Sequence, residues 1–190
     1  MSKIIKTSSY LGYPINNNYT LKQSNMKDIY LALVHARDSI DRPLALRYTL
    51  GLIDDHSFDI KKLTRKIRTI FKDAGYSFIY SFEHAENRGL HLEMILVINQ
   101  AKYSPLTIFN LLRKIFFNMD GVEIHNEKYK TVSLNFHERK EEYITSGSKV
   151  GHSLKKTDQF SDCVYRASYL AKQEDKLQVK YKKTFGTITG

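Results

Sequence analysis

An apolar segment that carries two metal-capable side chains constrains the fold of this chain most. Residues 89–99 read GLHLEMILVIN, and beyond Glu93 the apolar residues run on without alternation. Such a run is typical of a central β-strand that is covered on both faces. Because side chains alternate along a strand, His91 and Glu93 point to one face and Leu92 to the other. Buried polar side chains need partners, so these two either bond to neighbouring residues at a wet end of the strand or hold a metal ion.

The preceding segment brings a third metal-capable residue to this strand. Residues 77–83 read as a strand, and the polar residues 84–89 form a tight turn after it. Two strands joined this closely pair antiparallel as a hairpin. Glu83 therefore lies opposite the His91 end of the next strand, which places Glu83, His91 and Glu93 together.

Composition limits the partner and the compartment. Thirty Lys and Arg residues against twenty Asp and Glu give a net charge of +10, which favours a polyanionic partner such as nucleic acid. Thirteen Tyr and ten Phe suit base stacking, although most of them are expected in the core. The single Cys163 excludes an intramolecular disulfide and a cysteine-rich zinc module. No apolar run suits a signal peptide or a membrane span, so we expect a cytoplasmic protein without a membrane partner.

The expected architecture is one α+β domain with a central antiparallel β-sheet and flanking helices. We expect an N-terminal arm over residues 1–25 that packs loosely or meets a partner, a domain over residues 26–176 and a basic C-terminal tail over residues 177–190. Predicted strands cover residues 44–53, 77–83, 89–99, 122–124 and 131–136. Predicted helices cover residues 26–39 with Asn25 as N-cap, 59–74, 105–119 and 160–173, and residues 137–158 read as a mobile loop.

The helix over residues 59–74 has a strongly basic face. Such a face is usually only solvated, but the net charge of the chain makes a DNA-facing role the alternative. The residues of this face are Lys61, Lys62, Arg65, Lys66, Arg68 and Lys72.

The last predicted helix combines two tyrosines with a lysine. Tyr165 and Tyr169 are four residues apart and Lys172 follows three residues later, so all three project from one helical face. A lysine in this position can help a tyrosine hydroxyl to become a phenoxide, and it can neutralise a phosphate that the tyrosine attacks. An aromatic stripe packed against the sheet is the alternative interpretation.

Together, the histidine strand and the tyrosine–lysine helix resemble the rolling-circle replication initiators of the HUH endonuclease superfamily. In that superfamily a strand with two histidines holds a divalent metal, and a later helix supplies one or two nucleophilic tyrosines. Residues 165–172, YRASYLAK, are similar to the paired-tyrosine motif of filamentous-phage (inovirus) and prophage replication proteins of the YagK/YfjJ type. The resemblance covers roughly residues 44–172 and implies the RRM-like palm of HUH endonucleases.

The resemblance implies a set of site residues and a chemistry. Mg²⁺ or Mn²⁺ would polarise the scissile phosphate of single-stranded DNA, and a tyrosine would attack it to leave a 5′-phosphotyrosine and a free 3′-hydroxyl. Its spacing to Lys172 favours Tyr169 over Tyr165 as the first nucleophile. The expected metal ligands are Glu83, His91 and Glu93, and the expected DNA-binding residues are Arg47, Arg88 and Arg166.

The chain departs from the family pattern at Glu93, which stands where the second histidine is expected. A carboxylate ligates Mg²⁺ or Mn²⁺ well, because both are hard cations that prefer oxygen. His84, His125 and His137 are the alternative ligands.

The expected function is site-specific nicking and strand transfer on single-stranded DNA at a replication origin. The sequence contains no P-loop, so strand separation would need a host helicase, and a host polymerase is a further expected partner. A transposase with the same chemistry is one alternative. A non-catalytic nucleic-acid-binding protein, either a repressor or a degenerate relative, is another. Glu93 favours the non-catalytic reading, whereas the two tyrosines and Lys172 favour the enzyme.

Overall fold

A computed structural model describes residues 3–53, 57–85, 89–139, 149–173 and 184–190. Within these ranges it confirms the α+β class and the central antiparallel sheet. The described elements are, in chain order, β1 (Ile4–Ile5), β2 (Ser9–Tyr10), β3 (Tyr13–Pro14), β4 (Leu21–Lys22), α1 (Gln23–Ser39), β5 (Pro43–Gly51), α2 (Ile60–Phe71), β6 (Tyr76–Ala85), β7 (Gly89–Asn99), α3 (Pro105–Phe117), β8 (Ile124–Asn126), β9 (Thr131–Val132), β10 (Leu134–His137), β11 (His152–Ser153), α4 (Thr157–Ser168), a 3₁₀ turn (Tyr169–Ala171) and β12 (Phe185–Thr189).

The strand that carries His91 and Glu93 lies at the centre of the sheet. The strand order is β10-β5-β7-β6-β12, and β11 also pairs with β5. Strands β6 and β7 form the predicted antiparallel hairpin, with Glu83 directly opposite His91. Strand β7 is buried along its length after Gly89, which confirms the prediction from its apolar run.

Helices cover both faces of the central sheet, and the sheet separates the hydrophobic core into two clusters. One face packs Leu92 and its neighbours against α2 and α3, through residues such as Leu63 and Phe116. The other face packs Ile95 and Val97 against α1 and α4. His91 and Glu93 share the face of Ile95 because of the two-residue strand period, so the polar cluster lies on the α1 and α4 side.

Two of the helices begin where the sequence predicts. The Asp59 carboxylate accepts hydrogen bonds from the backbone N–H groups of Lys61 and Lys62, at 2.8 and 3.1 Å, and so caps α2. The Ser104 hydroxyl caps α3, with Pro105 in its first turn.

The start of α1 differs from the prediction, because the helix begins at Gln23 and Asn25 is a buried residue inside it. The reason is the pairing of β1 with β4, which delivers the chain directly into the helix. The N–H of Gln23 donates to the carbonyl of Lys3 at 2.9 Å, so a backbone hydrogen bond satisfies the first N–H group of the helix.

The N-terminal arm, which was expected to pack loosely or meet a partner, is anchored to the domain at two buried residues. Ile15 and Leu21 are only 2% and 1% exposed and belong to the core on the α1 and α4 side. The N–H of Asn16 donates to the Ser168 hydroxyl at 2.8 Å, which ties the arm to the end of α4.

Only residues 184–190 of the expected basic tail are described, and its basic part, residues 177–183, lies outside the described residues. Strand β12, over Phe185–Thr189, pairs with β6 and forms an edge of the central sheet. Part of the expected mobile loop is ordered as well, because β11 pairs with β5 and α4 begins at Thr157. Residues 140–148 of the expected loop lie outside the described residues.

Helix α4 ends earlier than predicted, at Ser168, and continues as the 3₁₀ turn. The Ser168 hydroxyl donates back to the carbonyl of Tyr165 at 2.6 Å, an interaction that competes with helix propagation. Lys172 then has an extended backbone and bridges to Leu21. No helix in the described part of the chain is both long enough and apolar enough to cross a membrane.

Candidate metal centre

Three buried side chains meet on the α1 and α4 face of the central hairpin. Glu83, His91 and Glu93 are 0%, 2% and 1% exposed. His91 Nε2 lies 3.7 Å from Glu83 Oε2 and 3.8 Å from Glu93 Oε1. One potential ligand atom from each of the three residues lies within 4.8 Å of the other two. The predicted grouping of these residues is therefore present in the structure.

The spacing and chemistry of this group suit a divalent cation. Oxygen and nitrogen atoms that bind one ion at about 2.1 to 2.5 Å lie at most about 5 Å apart. Among the described residues, Glu83 Oε1 and His91 Nε2 are buried without a hydrogen-bond partner. His91 Nδ1 lies 3.0 Å from the Gly89 carbonyl, which accepts its proton and leaves the lone pair on Nε2. The group can therefore hold a metal ion.

The same surroundings affect the protonation of His91. Burial disfavours its charged form, but the Glu83 carboxylate, the Gly89 carbonyl and Glu93 outweigh burial and raise its pKa above the usual range. A cation at Nε2 therefore competes with a proton.

Glu93 is held more firmly than the other two members of the group. Arg47 donates to its Oε2 from Nε at 3.3 Å and from Nη2 at 3.0 Å, and the Thr49 hydroxyl lies 2.9 Å from Oε1. Burial alone would raise the pKa of Glu93, but Arg47 and the hydrogen bonds lower it. Glu93 is thus an ionised carboxylate whose two oxygens already have protein partners.

One alternative ligand lies near this group. His137 Nε2 lies 2.6 Å from the Thr49 hydroxyl, which also contacts Glu93. Because a hydroxyl donates only one proton, a Thr49 that donates to Glu93 must accept from His137. His84 follows Glu83 on β6 and so faces the other side of the sheet. His125 is exposed on β8, outside the central sheet.

Lys172 connects the three residues to Tyr169. Its Nζ lies 2.8 Å from Glu83 Oε2 and 2.5 Å from the Tyr169 hydroxyl. Burial and the Glu83 carboxylate raise the pKa of Tyr169 above its usual range, and the hydrogen bond from Lys172 offsets only part of this rise. Tyr169 and Lys172 are thus in contact next to the candidate metal ligands. They do not share the predicted helical face, because α4 ends at Ser168 and Lys172 has an extended backbone.

The other predicted site residues lie at various distances from the three candidate metal ligands. The Arg47 guanidinium lies 5.0 Å from the centre of the Tyr169 ring. Arg166 is partly buried and donates to the Glu138 carbonyl at 2.9 Å. Tyr165 is half-buried on α4, and its role as a second nucleophile stays a prediction. Arg88 lies outside the described residues. The basic face of α2 belongs to the opposite side of the sheet from the metal ligands.

Tyr19 is a site residue that the sequence did not single out. Its ring meets the Tyr169 ring edge to face, with centroids 5.2 Å apart. The ring centre also lies 5.4 Å from Lys172 Nζ. Nothing in the local sequence of the N-terminal segment indicates this contact, because it depends on a distant turn.

Comparisons with protein-family models, with curated protein sequences and with solved structures give no match for this chain.

Proposed function

We propose that this chain nicks single-stranded DNA through a tyrosine nucleophile and transfers the strand, as the rolling-circle replication initiators that it resembles do. The observation that carries the proposal is the position of the Tyr169 hydroxyl. One lysine ammonium, that of Lys172, contacts both this hydroxyl and the metal-capable Glu83. A nucleophile beside a candidate metal site is what phosphoryl transfer at such a centre requires.

Three residues have distinct roles in the proposed reaction. Tyr169 Oη attacks the phosphorus, the bond from phosphorus to the 3′ oxygen breaks, and the DNA 5′ end remains esterified to the tyrosine. The phenol loses its proton and the leaving 3′ oxygen gains one. Lys172 favours the phenoxide by donating to the tyrosine oxygen. Arg47 is close enough to the Tyr169 ring to attract the phosphate charge as the DNA approaches.

Glu83, His91 and Glu93 would hold a divalent ion of the Mg²⁺ or Mn²⁺ type. When bound, such an ion supplies Lewis-acid polarisation of the scissile phosphate. Arg47 and Thr49 keep the Glu93 carboxylate ionised and in one orientation.

A covalent-adduct assay tests the proposal. The protein is incubated with a random-sequence pool of single-stranded oligonucleotides, labelled at the 3′ end, in the presence of Mn²⁺. The 3′ label stays with the protein in denaturing electrophoresis, because the tyrosine retains the strand that runs from the new 5′ end. Tyr169→Phe is expected to abolish the labelled band, and Tyr129→Phe is the matched control at an exposed tyrosine. A wild-type chain without the band, or a band that persists after both Tyr165 and Tyr169 are changed to Phe, contradicts the proposal.

A second candidate function is nucleic-acid binding without catalysis. The observation that favours it is the charge balance of the buried group, where Lys172 pairs with Glu83 and Arg47 pairs with Glu93. Such a group is stable as a purely structural ion-pair network. A structural network predicts single-stranded DNA binding that chelators do not change, and no melting shift on addition of Mn²⁺.

A further inference from the structure

A polar cavity lies on the N-terminal segment, and one of its lining residues, Tyr19, contacts Tyr169. Its volume is about 330 Å³, and residues from two stretches of the chain, 4–7 and 17–21, line it. This volume lies within the range of small-ligand pockets, about 300 to 1,000 Å³. The polar and aromatic side chains of its lining include Lys6, Thr7, Asn17, Asn18 and Tyr19.

The cavity is fixed to the turn that carries the tyrosine nucleophile. The carbonyl of Thr20 accepts a hydrogen bond from the N–H of Gln173 at 2.9 Å, and Leu21 bridges to Lys172. Tyr19 lines the cavity, and its ring makes the edge-to-face contact with Tyr169. Tyr19 thus links the cavity to Tyr169.

We propose that this cavity binds one nucleotide of single-stranded DNA, the nucleotide that adjoins the scissile phosphate. The inference rests on the proposed function and deepens it by assigning a site for base recognition. A base is separated from its own phosphate only by the sugar. A phosphate at the Tyr169 hydroxyl thus brings the neighbouring base to Tyr19.

The lining supplies each kind of contact that a nucleotide uses. Tyr19 is 37% exposed and offers a ring on which a base can stack. The side-chain amides of Asn17 and Asn18 present donors and acceptors that can pair with a base edge. Lys6 is exposed at the rim and can pair with a backbone phosphate. An asparagine pair that reads a base edge would give the cleavage reaction a sequence preference next to the nick.

Binding measurements without metal test the cavity separately from catalysis. Fluorescence anisotropy with a labelled random-sequence single-stranded oligonucleotide in EDTA reports affinity while no nick forms. Tyr19→Ala is expected to weaken binding about tenfold, which is typical for loss of one stacked base. Tyr19→Phe is expected to bind like wild type, and so is Tyr129→Ala, the matched control at a tyrosine that is 67% exposed outside the cavity.

A second variant addresses the packing role of Tyr19. Tyr19→Leu retains an apolar side chain against Tyr169 but has no aromatic face, so it is expected to melt like wild type and bind like Tyr19→Ala. Sequencing of the covalent adducts gives a further readout. The double change of Asn17 and Asn18 to Ala is expected to broaden the base preference at one position beside the nick.

The outcomes separate this inference from the proposed function. Unchanged affinity in folded Tyr19→Ala and Tyr19→Leu variants overturns the nucleotide site, even if adducts still form and the proposed function stands. An unchanged base preference in the double asparagine variant also overturns it. Tyr19-dependent binding by a wild-type chain that forms no adduct supports the nucleotide site and overturns the catalytic proposal.

Discussion

The Lys172 ammonium lies 2.8 Å from Glu83 Oε2, and the two side chains are 2% and 0% exposed. The positively charged Lys172 side chain thus lies beside Glu83, which is also a candidate metal ligand. Like charges repel strongly in a buried site, where the effective dielectric constant is low. The ammonium of Lys172 and a divalent ion therefore compete for Glu83.

This competition predicts an unusual response of the Lys172→Met variant. Without metal, the unpaired Glu83 carboxylate is expected to lower the free energy of unfolding by about 3 to 5 kcal/mol. With Mn²⁺, the same variant is expected to gain more in melting temperature than wild type, because the competing charge is gone. Differential scanning fluorimetry across a Mn²⁺ titration measures both effects. Lys61→Met, at an exposed position of α2, is the control and should match wild type. A smaller Mn²⁺ response in Lys172→Met than in wild type contradicts the competition.

The His91→Ala variant is expected to lose metal-dependent stabilisation. An ion present at a hundred times its dissociation constant stabilises the folded state by about 2.7 kcal/mol, and removal of the His91 ligand removes most of this gain. Urea unfolding with Mn²⁺ and with EDTA measures the difference. His125→Ala, which changes an exposed histidine on β8, should keep the full Mn²⁺ effect. Equal Mn²⁺ stabilisation of His91→Ala and wild type would show that the ion binds elsewhere.

His152 makes the stability of the fold depend on pH. Burial, together with Arg166 and Arg139, lowers its pKa to about 3, whereas the unfolded chain has the usual value of about 6.5. Above pH 6.5 the residue is neutral in both the folded and the unfolded state and does not change the free energy of unfolding. As pH falls from about 6.5 towards 3, only the unfolded chain takes up the proton, so stability falls by about 1.4 kcal/mol per pH unit.

Urea unfolding at pH 7.5 and pH 5 measures this contribution. His152 is expected to account for a loss of about 2 kcal/mol between these two pH values. A His152→Asn variant should show a correspondingly smaller loss, whereas His35→Asn, at an exposed position on α1, should lose as much as wild type. An identical pH dependence in His152→Asn and wild type refutes the assignment.

Two glycines with similar backbone angles are expected to respond differently to alanine. Gly121 has φ of +75°, and a Cβ there would lie 2.5 Å from the backbone nitrogen of Phe58. Gly89 has φ of +63°, but its Cβ would meet nothing within 4 Å. Gly89→Ala therefore carries only the left-handed backbone cost of about 1 kcal/mol, and Gly121→Ala is expected to cost at least about 2 kcal/mol more. Chemical denaturation of the two variants measures this difference, and equal losses would contradict the steric argument.

Much of the candidate metal group could be predicted from the sequence because its geometry is local. The two-residue period of a strand places His91 and Glu93 on one face, and the short turn after Glu83 makes its strand the antiparallel neighbour. These relationships depend only on backbone geometry over a few residues.

The partners of this group could not be predicted in the same way. Arg47 and Thr49 reach Glu93 because β5 is the other neighbour of β7, although these two residues lie 46 and 44 positions before Glu93 in the chain. Strands β1, β4 and β12 are too short to show a hydrophobic period. The sequence around them is therefore interpreted as an N-terminal arm and a C-terminal tail. Their positions follow from backbone pairing with distant strands, which local patterns do not encode.

The sequence by itself thus determined the α+β class, the central hairpin and the grouping of Glu83, His91 and Glu93, because each follows from side-chain period and turn length. Only the tertiary structure decided that Lys172 pairs with Glu83, that Arg47 pairs with Glu93 and that Tyr19 lies against Tyr169. These contacts join segments far apart in the chain. Packing of the helices and the N-terminal segment against one face of the sheet brings them together.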